Sequence, residues 1–215
     1  MVIDVDVVSD AICPWCFVGK RRLEKAISAV QGRHEIRVHW RPFQLNPGMP
    51  KEGMDRNEYR KRKFGSEKIV ADLDRRMMAV GAQENIPFAL DKIQKTPNTF
   101  DAHRLVWWAG RINDQNSVVD GLFRAFFTQG RDIGDRSVLA DIAGEADLDR
   151  KAAAAFLDSD VGVSEVRLEE TKARNLGIEA VPFFMIGGRF AVAGAHESDS
   201  FLDAFGELER IAATR

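Results

Sequence analysis

Residues 2–8, VIDVDVV, are short, β-branched and alternating, a pattern that predicts a strand with one buried face. In KRRLEKAISAV, which follows after a gap of eleven residues, Leu23, Ala26, Ile27 and Val30 fall at helical spacing. HEIRVHWRPFQL (34–45) supplies a second strand ending near Pro42 and Pro47, so the first 46 residues read as a β-α-β unit. The texture then changes. RNEYRKRKFGSEKIVADLDRRMMAVG, NTFDAHRLVWWAGRIN, SVVDGLFRAFFTQG and SVLADIAGEA are helical patterns separated by Gly, Pro, Asn and Asp, with little that alternates with period two. After one more helix, SEVRLEETKARNLG, strands return in VPFFMIGGRFAVAGA, where two apolar runs flank Gly187-Gly188-Arg189 as in a hairpin with a glycine turn. A last helix is predicted in SDSFLDAFGELERIAA. The strand-forming ends, 1–46 and 163–215, are expected to form one α/β domain, interrupted by a helical insertion domain over 47–162.

Composition agrees with a globular chain: 215 residues, 45% hydrophobic and 30% charged. A formal net charge of -2 gives no global case for nucleic acid or an anionic membrane as partner. The basic runs Lys20-Arg21-Arg22 and Arg60-Lys61-Arg62-Lys63 have acidic neighbours such as Glu24 and Glu58 and read as solvated helix faces. Trp107 and Trp108, with Leu105, Phe123, Phe126 and Phe127, read as the core of the helical part. Asp4, Asp6 and Asp10 interrupt the N-terminus, which lacks the pattern of a secretory signal, and no run approaches 18 apolar residues. The expected location is cytoplasmic, where lasting structural disulfides are disfavoured.

That expectation sharpens the question posed by the only two cysteines, Cys13 and Cys16, separated by Pro14 and Trp15 in SDAICPWCFVG. Structural zinc would need two further ligands from four scattered histidines, and haem attachment would need His where Phe17 stands. Thiol–disulfide exchange fits better. Pro14 suits the first turn of a helix, which puts Cys13 at the helix N-terminus and Cys16 one turn in. There the unpaired N–H groups and the positive end of the helix dipole favour a thiolate, the attacking species. Cys13 is expected to be the exposed nucleophile and Cys16 the thiol that resolves the mixed disulfide.

SDAICPWCFVGKRRLEKAI, NTFDAHRLVWWA, FRAFFTQGRDIGDRSVLADIA and LGIEAVPFFMIGGRFAVAGAH resemble, in this order, the DsbA-like thioredoxin-fold oxidoreductases, and specifically their FrnE-like branch. The resemblance implies a thioredoxin fold interrupted by an all-helical domain, a redox-active Cys pair acting on protein or small-molecule disulfides, and no cofactor. It also implies a cis Val181–Pro182 bond packed over the thiols, with the Val181 backbone free to pair with an extended substrate. A similar branch holds the kappa-class glutathione transferases and the 2-hydroxychromene-2-carboxylate isomerases, which commonly carry Ser in place of the first Cys and bind glutathione. The second thiol here favours dithiol chemistry and leaves glutathione open as reductant or mixed-disulfide partner. Asn98, Thr99 and His103 lie in the segment that looks like the family's cleft-facing helix start. Their ordinary roles would be a helix N-cap for Asn98 or Thr99 and a packed or surface histidine for His103. Asp10 could cap the first helix or relay protons to Cys16, and capping is the simpler expectation.

Overall fold

The computed structural model describes residues 1–112 and 115–214. Strand β1 (Val2–Ser9) runs parallel to β2 (Glu35–Pro42) through helix α1 (Pro14–Ala29), the crossover that the alternation and helical spacing predict. On its other side β1 pairs antiparallel with β5 (Phe183–Ile186), which pairs with β6 (Phe190–Ala193). The four-stranded order is therefore β2-β1-β5-β6. Gly187 and Gly188 both take positive φ in the β5–β6 turn, a conformation that side chains with a Cβ resist.

Between β2 and β5 the regular structure is mainly helical: α2 (Arg56–Phe64), α3 (Glu67–Gln83), α4 (Phe100–Ala109), α5 (Gln115–Phe127), α6 (Arg136–Glu145), α7 (Arg150–Asp158) and α8 (Val163–Asn175). What the sequence presented as one helix over 56–81 is broken at Gly65, whose φ of 92° ends α2, and Ser66 then caps α3 by accepting from the Ile69 N–H. Two features went unpredicted. Helix α7 has its signal in Asp149, which accepts from the N–H groups of Lys151 and Ala152 ahead of an alanine run. The two-residue strands β3 (Met54–Asp55) and β4 (Lys95–Thr96) are too short for a period-two pattern.

One continuous hydrophobic cluster runs from β1 and α1 through α3, α4, α5 and α6 to α9 (Ser198–Ala213). Phe17 is the joint between the thioredoxin-type sheet and the helices. Its ring stacks on Phe123 at 5.1 Å and meets Phe88 edge-on at 6.0 Å, so the helix that opens on Cys13 and Cys16 is fixed against α5 and the chain following α3. Phe123, Phe126 and Phe127 are buried as expected, while Trp107 and Trp108 are half-buried and stack on Phe156.

The expectation of a solvated Lys20-Arg21-Arg22 face is corrected. Lys20 and Arg22 are buried, because α1 is packed between α3, α5 and α9 and has little free surface. Their charges are matched over long sequence distances. Lys20 pairs with Glu24 and with Asp120 at 3.2 Å, and Arg22 donates to Glu84 at 2.7 Å and to the Ala195 carbonyl at 2.7 Å. Burial pushes the Glu84 carboxyl up, but the Arg22 bond and a second from Lys25 at 2.9 Å hold it below the usual range.

Candidate active site

Cys13 is the N-cap of α1, Pro14 occupies the first helical position, and no side chain caps the helix. The Cys16 N–H donates to the Cys13 carbonyl at 3.0 Å, which sets the two sulfurs one turn apart on the same end of the helix. Both cysteines are free thiols. The expectation that Cys13 is exposed is corrected: it is 4% accessible, against 1% for Cys16. The cover comes from the other end of the chain. The Val181–Pro182 bond is cis, and the Cys13 thiol donates to the Val181 carbonyl at 3.5 Å. Pro182 is buried beside Gly19, where an added Cβ would lie 3.1 Å from the proline ring and 2.9 Å from Phe184.

The two thiols differ in access. Cys13 lines a cleft of about 440 Å³ together with Ile12, Trp15, Val181, Phe126 and Phe127, while Cys16 does not reach it. Trp15 is 43% exposed and forms part of the rim. Burial pushes the Cys16 thiol well above its ordinary range, and Cys13 adds to the effect; the Ser9 hydroxyl and the Asp10 backbone act in the opposite direction.

The far wall of the cleft carries Arg56, Arg60, Lys63 and Arg76 against a single carboxylate, Asp74. The Arg60-Lys61-Arg62-Lys63 run was expected to be solvated; Lys61, Arg62 and Lys63 are exposed, while Arg60 is half-buried and forks onto Asp74 at 2.6 and 2.7 Å. Lys63 donates to the Tyr59 hydroxyl at 2.7 Å, and Tyr59 donates to Asn46 at 2.8 Å. Among the described residues no carboxylate pairs with Arg56. Burial and the neighbouring Arg60 charge pull its guanidinium down to about 10.

Of the remaining expected site residues, none lines the Cys13 cleft. Asn98 folds back on its own chain, accepting from the Phe100 N–H at 2.9 Å and donating to the Met49 carbonyl at 2.6 Å. Thr99 is the N-cap of α4 by position but makes no side-chain capping bond, and it is buried. Asp10 does not cap α1. Its carboxylate is fully buried and accepts from the Leu45 N–H at 2.7 Å and the Ile12 N–H at 3.5 Å, tying the β1–α1 turn to the chain beyond β2. His103 is buried, with Nε2 3.4 Å from Asp10 Oδ1 but without hydrogen-bond alignment. Sequence reasoning missed Arg56 and Tyr59 as cleft residues, because their approach to Cys13 depends on how α2 is docked.

A family profile described as the DSBA-like thioredoxin domain matches residues 4–206. The structure of a probable DsbA oxidoreductase from Streptomyces coelicolor is 31% identical, with a TM-score of 0.85, covering 95% of this chain and 91% of that one. YwbO of Bacillus subtilis, described as uncharacterized, is 27% identical over 212 residues, 98% of this chain and 99% of its own. The cytosolic disulfide reductase DsbM of Pseudomonas aeruginosa, solved with GSH, shares the fold at 18% identity and a TM-score of 0.64, covering 98% of this chain and 99% of that one. A Cys-Pro-Trp-Cys helix start beneath a cis-proline loop, within a profile match that spans nearly the whole chain, assigns this protein to the DSBA-like thioredoxin domain family.

Proposed function

We propose that the protein is a thiol–disulfide oxidoreductase that cycles Cys13 and Cys16 between dithiol and disulfide on protein or small-molecule disulfides. The carrying observation is that Cys13 alone of the two thiols opens to a cleft while Cys16 waits one helical turn behind it. Cys13 attacks one sulfur of the substrate disulfide, forming a Cys13–substrate bond and releasing the other half as a thiolate. Cys16 then attacks Cys13, forming the intramolecular disulfide and releasing the second thiol; the substrate gains two electrons and the protein loses them. The reverse sequence oxidises a dithiol substrate.

The excess of cations on the cleft wall supports disulfides that carry carboxylates, glutathione and its mixed disulfides among them. The DsbM structure with GSH is consistent with that choice, as is a cytoplasmic site of action with the cytosolic description of the same relative. No helix among the described residues is long and apolar enough to cross a membrane. The same cations favour a second reading, a glutathione-dependent transferase or isomerase of the kappa or 2-hydroxychromene-2-carboxylate isomerase type, in which Cys16 is incidental.

Insulin reduction with dithiothreitol separates the two. Under the first reading Cys16→Ser loses multiple turnover and accumulates a mixed disulfide through Cys13 that disappears with reductant. Undiminished glutathione conjugation by Cys16→Ser, with no insulin reduction by the unaltered protein, overturns it in favour of the second.

A further inference from the structure

Resolution requires Cys16 to lose a proton in a place that water reaches poorly, since its side chain is buried and does not line the substrate cleft. A separate cavity of about 20 Å³, sharing no lining residue with that cleft, is lined by Ser9, Trp40 and His103 among mostly apolar neighbours. A space of this size takes one water, provided that polar groups hold it. Two such groups are present. Trp40 Nε1 and His103 Nε2 are both buried and make no hydrogen bond among the described residues. Ser9, on the same wall, acts on the Cys16 thiol through its hydroxyl.

We propose that this cavity is a proton-transfer site for the redox reaction, in which one internal water held by Trp40 and His103 connects Cys16, through Ser9, to the His103 imidazole. The inference rests on the redox reading above. In the resolution step the Cys16 S–H proton passes to the Ser9 hydroxyl as Ser9 passes its own to the water and the water passes one to His103. The Cys16 thiolate attacks Cys13, the sulfur–sulfur bond to Cys13 forms, the Cys13–substrate bond breaks, and the substrate leaves as a thiolate. His103 acts at one remove from the sulfur. The Asp10 carboxylate lies 3.4 Å from His103 Nε2 and is itself held by the Leu45 N–H.

The other charged groups nearby do not compete for the proton. Arg41 of β2 lines the cavity but directs its guanidinium to Asp6 at 2.7 Å and Glu169 at 3.8 Å. Arg104 of α4 donates to Asp101 and to the backbone carbonyls of Phe156, Leu157, Ser159 and Val161. Helix α5 contributes only Val119, Leu122 and Phe123, and no residue of α1 lines the cavity, so Cys16 is reached through Ser9.

The test uses 5,5′-dithiobis(2-nitrobenzoate), a disulfide whose released thiol absorbs strongly. Attack by Cys13 releases the first equivalent and resolution by Cys16 the second. With His103→Phe the second phase between pH 6 and 8 slows about tenfold or more, while the first phase moves less. The deficit disappears as pH rises and hydroxide takes the proton directly. Ser9→Ala and Trp40→Phe reproduce the same pH-dependent deficit, which keeps the inference testable if His103→Phe fails to fold. A second phase unchanged in these variants, or slowed equally at every pH, overturns the relay and leaves the redox reading intact. Release of only one equivalent by the unaltered protein removes the redox reading and the relay with it.

Discussion

Cys13 and Val181, 168 positions apart, meet at 3.5 Å, the thiol of one donating to the carbonyl of the other. The contact closes the space over Cys13 from one side and leaves the cleft as its approach. Under the proposed function, a disulfide entering the cleft meets Cys13 before Cys16 and displaces or shares this carbonyl.

The first prediction follows from that one-sided access. Iodoacetamide applied to the reduced protein near neutral pH labels Cys13 well before Cys16, because Cys16 lies off the cleft and burial keeps it protonated. Peptide mass mapping over a time course reads the order. Equal labelling, or Cys16 first, reverses the roles assigned to the two thiols.

The raised Cys16 thiol makes the stability of the reduced protein depend on pH. The fold favours the protonated form, so its contribution is complete below the ordinary thiol value of about 8.5 and is lost as pH rises above it toward the raised folded value. The stability difference between reduced unaltered protein and Cys16→Ala, measured by urea unfolding from pH 7 to 10, shrinks by up to about 1.4 kcal/mol per pH unit. Groups that titrate in this window without contacting Cys16, Arg56 among them, cancel in the comparison, and carrying Cys13→Ala in both proteins removes the one neighbouring thiol that would not. A constant difference would show that the buried thiol gains solvent or a donor on ionising.

Arg56 is a half-buried cleft cation with no ion pair among the described residues, and it sets a charge preference. Arg56→Gln slows the reaction of Cys13 with a dianionic aromatic disulfide roughly tenfold, the equivalent of one charge-assisted hydrogen bond, and barely affects a neutral hydroxyethyl disulfide. Stopped-flow rates at low salt measure both. The preference fades as pH rises through about 10, where Arg56 loses its proton. Equal slowing of both substrates would assign Arg56 to packing.

Gly19 is where α1 approaches the cis-proline loop most tightly. Gly19→Ala gains about 1 kcal/mol of helix propensity but sets a Cβ 2.9 Å from Phe184, a ring fixed edge-on against Phe201 at 4.8 Å. Overpacking of this kind costs about 1–3 kcal/mol, so the variant is destabilised by on the order of 1 kcal/mol. Insulin reduction falls too, since the same Cβ presses on Pro182, 3.1 Å away. An unchanged urea midpoint would mean that the ring moves aside freely.

What the sequence determined by itself is local. The alternation in 2–8, the helical spacing from Leu23 to Val30 and Pro14 at the first turn are properties of neighbouring residues, and they suffice to put Cys13 at a helix start with Cys16 one turn in. Gly187 and Gly188 specify their turn in the same way, through backbone angles that other residues resist. The resemblance in LGIEAVPFFMIGG carried the cis-proline expectation, which spacing alone could not have supplied.

Tertiary structure decided everything that depended on distant partners. Cys13 is buried because Val181 covers it, and Asp10 turns from helix capping because the Leu45 N–H lies within 2.7 Å. Lys20 and Arg22 look solvated beside Glu24, but Asp120 and Glu84 accept hydrogen bonds from them across 100 and 62 residues and make their burial tolerable. Arg56 becomes a cleft residue only once α2 is docked. The physical reason is common to Cys13, Asp10, Lys20 and Arg22: a buried charge or thiol is stable only where opposite charge or hydrogen-bond partners converge on it, and in this fold those partners come from segments far apart in the sequence.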